Sequence, residues 1–415
     1  MNFDDTPKEA AFRSEARAWI AQNAPHHLRG AIESSGIDAL TLPGTNIIEA
    51  QKAWQKRKFD AGWACPHWPR AYRGRDATPV QYFIWQQEEG PYARLSRLFH
   101  NGIGMCAPTL IAFAAESQKQ SLLPNIASGT DVWCQLFSEP AAGSDLAGLR
   151  TRAVRDGDGW IVNGQKVWTS FAQHAQKGLL LARTDGSVPK HRGLTMFFID
   201  MQSPGVEVRP IRQISGQTDF NEVYLSDVRI PDAQRLGTVN DGWRVSLTTL
   251  MNERLAIGME MPTGFDAILD YCRNLRTDRG LAAHDPRIQS RLAQWYIRAH
   301  GLRYIAMGAI TQLSKGWTPG PENSITKLVA GEMMQDIAEF ALDLQAEKGV
   351  LAGADGNLSG LFQAMLLRAP GTRIEGGTDE ILRNIIAERV LGLPGDVRVD
   401  KDNPFDSIPI GPRKG

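Results

Sequence analysis

The sequence predicts an α+β protein in which a helical segment, a β-rich segment and a second helical segment follow one another. Near the start, Phe12, Ala16 and Ile20 recur at helical spacing with charged residues between them. Short apolar runs separated by turn residues fill the middle of the chain, and helical spacing returns after Gly242. This block order differs from the alternation of strands and helices that a Rossmann fold requires. We predict an all-α domain at residues 1–130, a β-barrel or sandwich domain at 131–240, a four-helix-bundle-like domain at 241–395 and an extended tail at 396–415.

Turn residues divide the middle segment into short strands. Residues 154–162 contain Asp-Gly pairs between apolar runs, which indicates a strand, a turn and a strand. Asn163-Gly164 indicates a second tight turn before residues 166–168. Further short strands are predicted at 179–182, 194–199, 206–210 and 223–228. Many short strands at this spacing are typical of a barrel or sandwich.

The helical pattern after Gly242 contains longer segments than the first one. Leu247, Leu250 and Leu255 lie near one stripe, which is the expected buried face of the first helix. Pro262 falls within this pattern and should kink or end that helix. After residue 391 proline, glycine and charged residues dominate, as is typical of a tail without a core of its own.

Composition excludes several classes of function. The chain has 415 residues, 42% of them hydrophobic, which is enough for two or three domains with sizeable cores. A formal net charge of +0 gives no general attraction to nucleic acid or to an anionic membrane surface, so neither is an expected partner. The start is acidic and helical in pattern, unlike a signal peptide, and no apolar run is long enough to span a bilayer. We therefore expect a cytoplasmic protein.

Metal and dinucleotide motifs are also excluded. The four cysteines show no C-x-x-C spacing and the eight histidines form no H-E-x-x-H, so no metal site is expected. Residues 102–107 match G-x-G-x-x-A, but they follow a helical pattern rather than a strand. The match is therefore rejected as a nucleotide-binding fingerprint.

Several motifs in a fixed order carry the functional signal. The segments are WCQLFSEPAAGSDLAGLR (133–150), NGQKVWTS (163–170), LLARTD (180–185), NERLAIG (252–258) and RIEGGTDEILRNIIAER (373–389). In this order and spacing the chain resembles the acyl-CoA dehydrogenases over nearly its whole length. The branch it most resembles includes long-chain, isovaleryl and bacterial sterol-side-chain members. The resemblance implies the helical, β and helical domains of that fold, and an enzyme that uses FAD.

The implied reaction removes a proton from the α-carbon of an acyl-CoA thioester and a hydride from the β-carbon, giving the 2,3-enoyl-CoA. FAD accepts the hydride. The protein must supply a base, polarise the thioester carbonyl and exclude water. The resemblance also implies an electron-transfer flavoprotein as the electron acceptor.

The resemblance assigns residues to the cofactor and the substrate. Glycine at position 143 would also let the backbone approach a ligand closely. Without the resemblance, the first motif could be an ordinary strand-to-loop turn and Trp168 a core aromatic of the β-domain. The residues implied to contact FAD are Phe137, Ser138, Gly143, Trp168, Ser170, Thr378 and Glu380, and those implied to face the CoA substrate are Ser144 and Arg254.

The second motif serves the thioester. Gly376 and Gly377 are implied to bring backbone N–H groups to the thioester oxygen, so Gly376 is counted with the catalytic residues. The same glycines could simply form a loop before a helix that starts after residue 378. Thr378 would then be its N-cap, and both interpretations can hold together.

The catalytic base is predicted to be Glu253. The common branch of the family has an acid where this chain has Gly376, and Glu375 lies one position early. The branch with Gly-Gly-Thr instead uses the glutamate of a helical Glu-Arg pair, which corresponds here to Glu253 and Arg254. The alternative is that Glu253 is a solvated helix residue paired with a cation.

Two departures leave the assembly open. Residues 273–280 lack the R-x-x-F-G that often reaches the FAD of a neighbouring subunit, and residues 343–349 read DLQAEKG in place of a Gln-x-x-Gly-Gly segment. A homotetramer or dimer is expected, and a heteromeric assembly remains an alternative.

Two alternative functions are also considered. The chain could be a non-catalytic or FAD-sharing subunit of a heteromeric dehydrogenase, or a flavin monooxygenase on the same fold.

Overall fold

A computed structural model describes residues 5–35, 40–260, 264–317, 320–351, 360–395, 397 and 400–408, with the side chains of 254–260 outside this description. Pro262, predicted to kink a helix, lies outside the described residues. The α-helices in these ranges are α1 Pro7–Asn23, α2 Arg29–Ser34, α3 Ile47–Asp60, α4 Pro79–Glu89, α5 Ala107–Phe113, α6 Glu116–Ser128, α7 Gly242–Glu260, α8 Phe265–Asn274, α9 Pro286–Ser314, α10 Ser324–Gln345, α11 Leu361–Ile374 and α12 Asp379–Ile385.

Local sequence explains how the first helix starts. The Thr6 hydroxyl accepts a hydrogen bond from the Glu9 backbone amide, and the Glu9 carboxylate accepts one from the Thr6 amide. This capping box satisfies amides that have no partner inside the helix. Phe12, Ala16 and Ile20 are buried on one face of α1, as their spacing predicted.

The strands lie between α6 and α7, apart from one short hairpin. They are β1 Trp133–Leu136, β2 Arg152–Asp156, β3 Gly159–Lys166, β4 Lys177–Arg183, β5 Leu194–Asp200, β6 Val206–Pro210, β7 Asn221–Pro231 and β8 Arg235–Leu236, followed by the hairpin strands β9 Arg276–Thr277 and β10 Gly280–Leu281. The large sheet has the order β6-β7-β3-β2-β4-β5-β8, and β1 pairs with β4 in parallel. The α+β class and the helix–strand–helix order are therefore confirmed.

Alternate residues of β4 and β5 enter two different cores. Leu179 and Leu181 pack with helical residues such as Leu110, whereas Leu180 packs with Val162 of β3 and residues of β7. Since side chains alternate across a strand, both faces of β4 and β5 are covered. This explains the continuous apolar runs in the sequence of these strands.

The predicted tight turn at Asn163-Gly164 is wrong. Strand β3 continues through both residues, and its register with β7 shifts between Val162 and Gly164, which marks a bulge. Asn163 exchanges two hydrogen bonds of 2.9 Å with Asp227 on the neighbouring strand. A Cβ at Gly164 would lie 2.3 Å from Thr151 Oγ1, so the glycine serves close strand packing rather than a turn.

The chain divides into two compact units. One comprises residues 1–47, 78–94 and 254–395, and the other comprises 48–77, 95–253 and 396–415. The first unit has a helical core built around residues such as Trp295, Met333 and Phe362. In the part of the chain that the structure describes, no helix has both the length and the apolar character needed to cross a membrane.

Candidate active site

The loop that follows β1 holds the first motif. We call residues 137–145 the motif loop. Phe137 is buried, and the Ser138 carbonyl accepts a 2.9 Å hydrogen bond from the Val167 amide. Glu139 and Ala142 exchange two backbone hydrogen bonds of 3.0 Å, which closes the loop tightly. Residues 143–145 are exposed beyond this turn. The motif loop is therefore anchored at its start and presents its end to solvent.

A buried ion pair joins the motif loop to β3. Lys166 Nζ is 2.9 Å from Glu139 Oε1, and it also donates to the carbonyls of Phe137 and Leu181 at 2.9 Å each. Glu139 also accepts hydrogen bonds from the backbone amides of residues 150 and 151 at 2.6 and 2.9 Å. This network connects the motif loop to β3 and β4.

Burial and charge act in opposite directions on this pair. Burial alone would raise the pKa of Glu139, but the charge of Lys166 and the hydrogen bonds outweigh it and hold the pKa below its usual value. Burial lowers the pKa of Lys166, and Glu139 opposes that change. Sequence reasoning missed both residues. The alternation of side chains along β3 could have indicated the lysine, because Lys166 lies at an even position of the strand like buried Trp160 and Val162. A lysine that faces inward requires a counter-charge.

The turn after β3 exposes an indole. Trp168 is 59% exposed and has a φ of 60°, and Phe171 has a φ of 58°. Positive φ is uncommon for residues other than glycine, and bulky residues adopt it only where the surroundings enforce it. Buried Asn221 supplies that restraint. Its side-chain amide donates to the Thr169 backbone carbonyl at 2.9 Å, and its backbone carbonyl accepts from the Thr169 backbone amide at 3.0 Å. The alternative of a core tryptophan is wrong. Ser170 follows in the same turn and is partly exposed.

The first part of helix α7, residues 242–253, belongs to the second compact unit and packs there through small and hydroxyl side chains. Val245, Ser246 and Thr249 are fully buried, and the Thr249 hydroxyl lies 2.8 Å from that of Thr109. The predicted leucine stripe is wrong at Leu247, which is 42% exposed, and the side chain of Leu255 lies outside the described residues. The hydrophobic pattern misled because buried hydroxyls that bond to each other can replace apolar side chains on a packed face.

Glu253 lies one helical turn beyond Thr249 on the same side of α7. Its Oε2 accepts a 3.3 Å hydrogen bond from Gln135 Nε2. Gln135 belongs to β1 and precedes Phe137 by two residues. The structure therefore places the Glu253 carboxylate beside the strand from which the motif loop emerges. The side chain of Arg254 lies outside the described residues.

The second motif forms a glycine turn before α12. Gly376 and Gly377 have φ values of 62° and 99°, and the Thr378 hydroxyl accepts a 3.3 Å hydrogen bond from the Ile381 amide. The predicted N-cap at Thr378 is confirmed. Glu380, in the first turn of α12, is exposed. Both carboxylate oxygens of Glu375 lie 2.6 Å from Arg368 Nη2.

A buried lysine, missed by sequence reasoning, orients this turn. Lys327 Nζ donates to the Gly377 carbonyl at 2.7 Å and lies 3.9 Å from Asp379 Oδ1. Arg373 Nε donates to the other Asp379 oxygen at 2.6 Å. Burial lowers the pKa of Lys327, and the charge of Asp379 opposes that change. Its position three residues before buried Ala330 on α10 could have identified it as an inward-facing charge.

One concave region of the described chain lies apart from the predicted residues. The region lined by Phe113, Gln118 and Arg235, with a volume of about 590 Å³, includes none of them. Among the described side chains, no group of three or more His, Cys, Asp or Glu could hold a metal ion.

Comparison with known proteins decides the family. Models of the acyl-CoA dehydrogenase N-terminal, middle and C-terminal domains match residues 6–130, 134–228 and 240–391. The chain belongs to the acyl-CoA dehydrogenase family. The acyl-CoA dehydrogenase IpdE1 of Mycobacterium tuberculosis is 36% identical over 389 residues, covering 93% of this chain and 98% of the relative.

Solved structures of acyl-CoA dehydrogenases have the same fold. The Tcur3481-Tcur3483 steroid ACAD aligns with a TM-score of 0.78 and 26% identity, covering 95% of this chain and 100% of that chain. The ChsE4-ChsE5 complex from Mycobacterium tuberculosis aligns with a TM-score of 0.77 and 28% identity, also over 95% and 100%. This acyl-CoA dehydrogenase is an FAD-dependent oxidoreductase.

The residues around Trp168 fit such a cofactor. The indole is turned outward by a restrained backbone, and a flat aromatic face can stack on a planar ring system. Beside it, the buried Thr169 hydroxyl has no hydrogen-bond partner among the described residues of the acyl-CoA dehydrogenase. Buried polar groups normally have partners, so this hydroxyl fits a ligand or water that completes the site.

We expect Gly377→Ala to lower turnover by about tenfold through displacement of the glycine turn. The φ of 99° is accessible to glycine but not to alanine without strain, and the new Cβ would lie 3.3 Å from Leu382. The measurement is kcat with an acyl-CoA, together with the melting temperature. Gly316→Ala is the matched control, because its φ is 76° and its Cβ would meet nothing within 4 Å. Equal loss of turnover in both variants would contradict a role specific to the Gly377 turn.

Proposed function

We propose that this acyl-CoA dehydrogenase converts an acyl-CoA thioester to the 2,3-enoyl-CoA, with Glu253 as the base that removes the α-proton. The observation that carries this proposal is the 3.3 Å hydrogen bond from Gln135 to Glu253, which holds the carboxylate at the start of the motif loop. FAD, when bound, accepts the β-hydride. Gln135 is a neutral donor, and a carboxylate has further lone pairs that can accept a proton.

The other candidate carboxylate is less suited to this role. Glu375 is held by Arg368, with both oxygens at 2.6 Å from one guanidinium nitrogen. Both oxygens of this carboxylate are therefore engaged in an ion pair with the guanidinium. Position 376 carries no side chain that could act as a base. Glu253 therefore remains the best-supported base.

The remaining residues keep the roles that the family resemblance implies. The backbone of Gly376 and the adjoining Gly377 would donate to the thioester oxygen, and Lys327 would hold that turn through the Gly377 carbonyl. Two residues are assigned to the CoA substrate. They are Ser144, which is exposed in the motif loop, and Arg254, which follows Glu253 in α7. The proposed FAD contacts are Phe137, Ser138, Gly143, Trp168, Ser170, Thr378 and Glu380.

The names of related proteins support a bulky substrate. One similar solved structure is the Tcur3481-Tcur3483 steroid ACAD. Because of this similarity, we propose a sterol-derived acyl-CoA as the substrate class. Two similar structures carry two protein names each, Tcur3481-Tcur3483 and ChsE4-ChsE5. This pairing favours a second candidate function, in which the chain is one subunit of a heteromeric dehydrogenase. An electron-transfer flavoprotein as acceptor, a homotetramer and a cytoplasmic location also remain proposals.

The visible spectrum of the protein expressed alone tests the function. We expect a flavin spectrum that bleaches when a sterol-side-chain acyl-CoA is added without oxygen, and that bleaches less with a short linear acyl-CoA. A colourless protein that gains flavin only with a second subunit would replace the first candidate with the heteromeric one. Bleaching by NAD(P)H with oxygen consumption, and none by acyl-CoA, would instead identify a monooxygenase and overturn the proposal.

A further inference from the structure

The segment at residues 400–408 packs against the loop between β4 and β5 rather than extending into solvent. Phe405 is 4% exposed, its amide donates to the Val188 carbonyl at 2.9 Å, and the Asp406 amide donates to the Gly186 carbonyl at 3.0 Å. A Cβ at Gly186 would lie 2.2 Å from Asp406 Oδ1. The loop between β4 and β5 is therefore shaped to receive this segment, which we call the C-terminal strap.

The strap covers a buried arginine. The Phe405 ring centroid lies 3.4 Å from Arg183 Cζ. The Arg183 guanidinium donates to the carbonyls of Ala147, Leu149 and Lys190 at 2.6, 3.1 and 3.2 Å. Burial lowers the pKa of Arg183 to about 10, so the group stays charged at neutral pH. Hydrogen bonds from this charge to the backbone are stronger because the aromatic ring excludes water from them.

A second contact reaches the motif loop itself. Lys190 Nζ donates to Asp145 Oδ2 at 2.8 Å and to Asp400 Oδ2 at 2.6 Å. Asp145 is the last residue of the motif loop and follows Ser144, the proposed substrate contact. Lys190 thus joins the strap to the exposed end of the loop, while Arg183 holds the residues just after it.

We propose that the C-terminal strap is a positioning element for the acyl-CoA site, acting on the motif loop through Arg183 and Lys190. This inference rests on the proposed function for its effect on substrate, but its structural part does not. Removal of the Phe405 ring would hydrate Arg183 and weaken its hold on Ala147 and Leu149. The exposed end of the loop would then sample more conformations, and the substrate contact at Ser144 would be less well placed.

Hydrogen exchange of the FAD-loaded protein, followed by mass spectrometry, tests the structural part. In Phe405→Ala we expect amide exchange at residues 142–150 to become about tenfold faster, as one lost positioning contact would cause. Val397→Ala is the control, since this side chain is 91% exposed and lies near the strap in sequence. Asp400→Asn is a milder variant that removes only a charge beside Lys190, and a smaller increase near Asp145 is expected.

Steady-state kinetics test the effect on substrate. We expect Phe405→Ala to raise the KM for acyl-CoA by about tenfold while kcat changes less than about threefold, because the strap orients the binding loop and not the base. Faster exchange at residues 400–408 alone, with 142–150 unchanged, would overturn the inference. If the wild type does not react with acyl-CoA, the proposed function fails, and the exchange data still decide whether the strap orders the loop.

Discussion

Glu253→Gln is expected to slow reduction of the flavin by an acyl-CoA by about 10²- to 10⁴-fold, the range for loss of a positioned general base. Glutamine keeps the size of the side chain and can still contact Gln135, but it cannot accept the α-proton. FAD content, the melting temperature and acyl-CoA binding should change little, because the substitution removes only one charge from a partly exposed position. Anaerobic stopped-flow absorbance at the flavin band measures the rate directly.

Glu375→Gln is the matched control for this experiment. It removes the same charge from the other carboxylate, whose partner is Arg368 rather than a neutral amide. We expect its flavin reduction to stay within about tenfold of the wild type, since only positioning and not proton transfer would be disturbed. A wild-type rate in Glu253→Gln combined with a large loss in Glu375→Gln would move the base to the second motif.

Lys166→Met is expected to destabilise the protein by about 3–5 kcal/mol, because Glu139 would remain buried without its counter-charge. The Phe137 and Leu181 carbonyls would also lose a donor. Since the motif loop rests on this network, the surviving folded protein should retain less FAD. Urea unfolding gives the free energy, and the ratio of flavin to protein absorbance gives FAD retention.

Two further variants separate charge burial from general damage. Lys177→Met removes another lysine of the same sheet whose partner, Asp200, is partly exposed, and it should cost less than about 1 kcal/mol. Combining Lys166→Met with Glu139→Gln should cost less than the sum of the single changes, because the orphaned charge is absent. Strict additivity, or equal cost for Lys166 and Lys177, would contradict a coupled buried pair.

The parts of the fold that follow from simple periodicity could be predicted from sequence. Buried Phe12, Ala16 and Ile20 lie at helical spacing, and the strands predicted at 194–199 and 206–210 are present. The Asn-Gly pair at 163–164 misled because its local preference for a turn was outweighed by pairing of β3 with β7. A short-range signal cannot report such long-range pairing.

The candidate site was predicted less completely, for a different reason. The motifs indicated candidate ligand-facing residues, such as Trp168 and Glu253, but not the buried charges that anchor the motif loop and the glycine turn. Lys166, Lys327 and Arg183 each bond to backbone carbonyls far away in sequence. Every residue has a backbone carbonyl, so the amino-acid sequence does not show which carbonyl accepts a given hydrogen bond. These contacts can be identified only from the three-dimensional structure.

The Lys166–Glu139 pair also determines how this chain can be recombined with its relatives. The two charged residues are 27 positions apart in sequence, and Lys166 also donates to the Leu181 carbonyl on β4. In a chimaera with its junction between Glu139 and Lys166, the lysine and the glutamate would come from different parent proteins. The backbone spacing around the two residues could then no longer match. In hybrid enzymes designed to change acyl specificity, residues 133–183 should therefore come from a single parent protein, with the junctions placed outside this range.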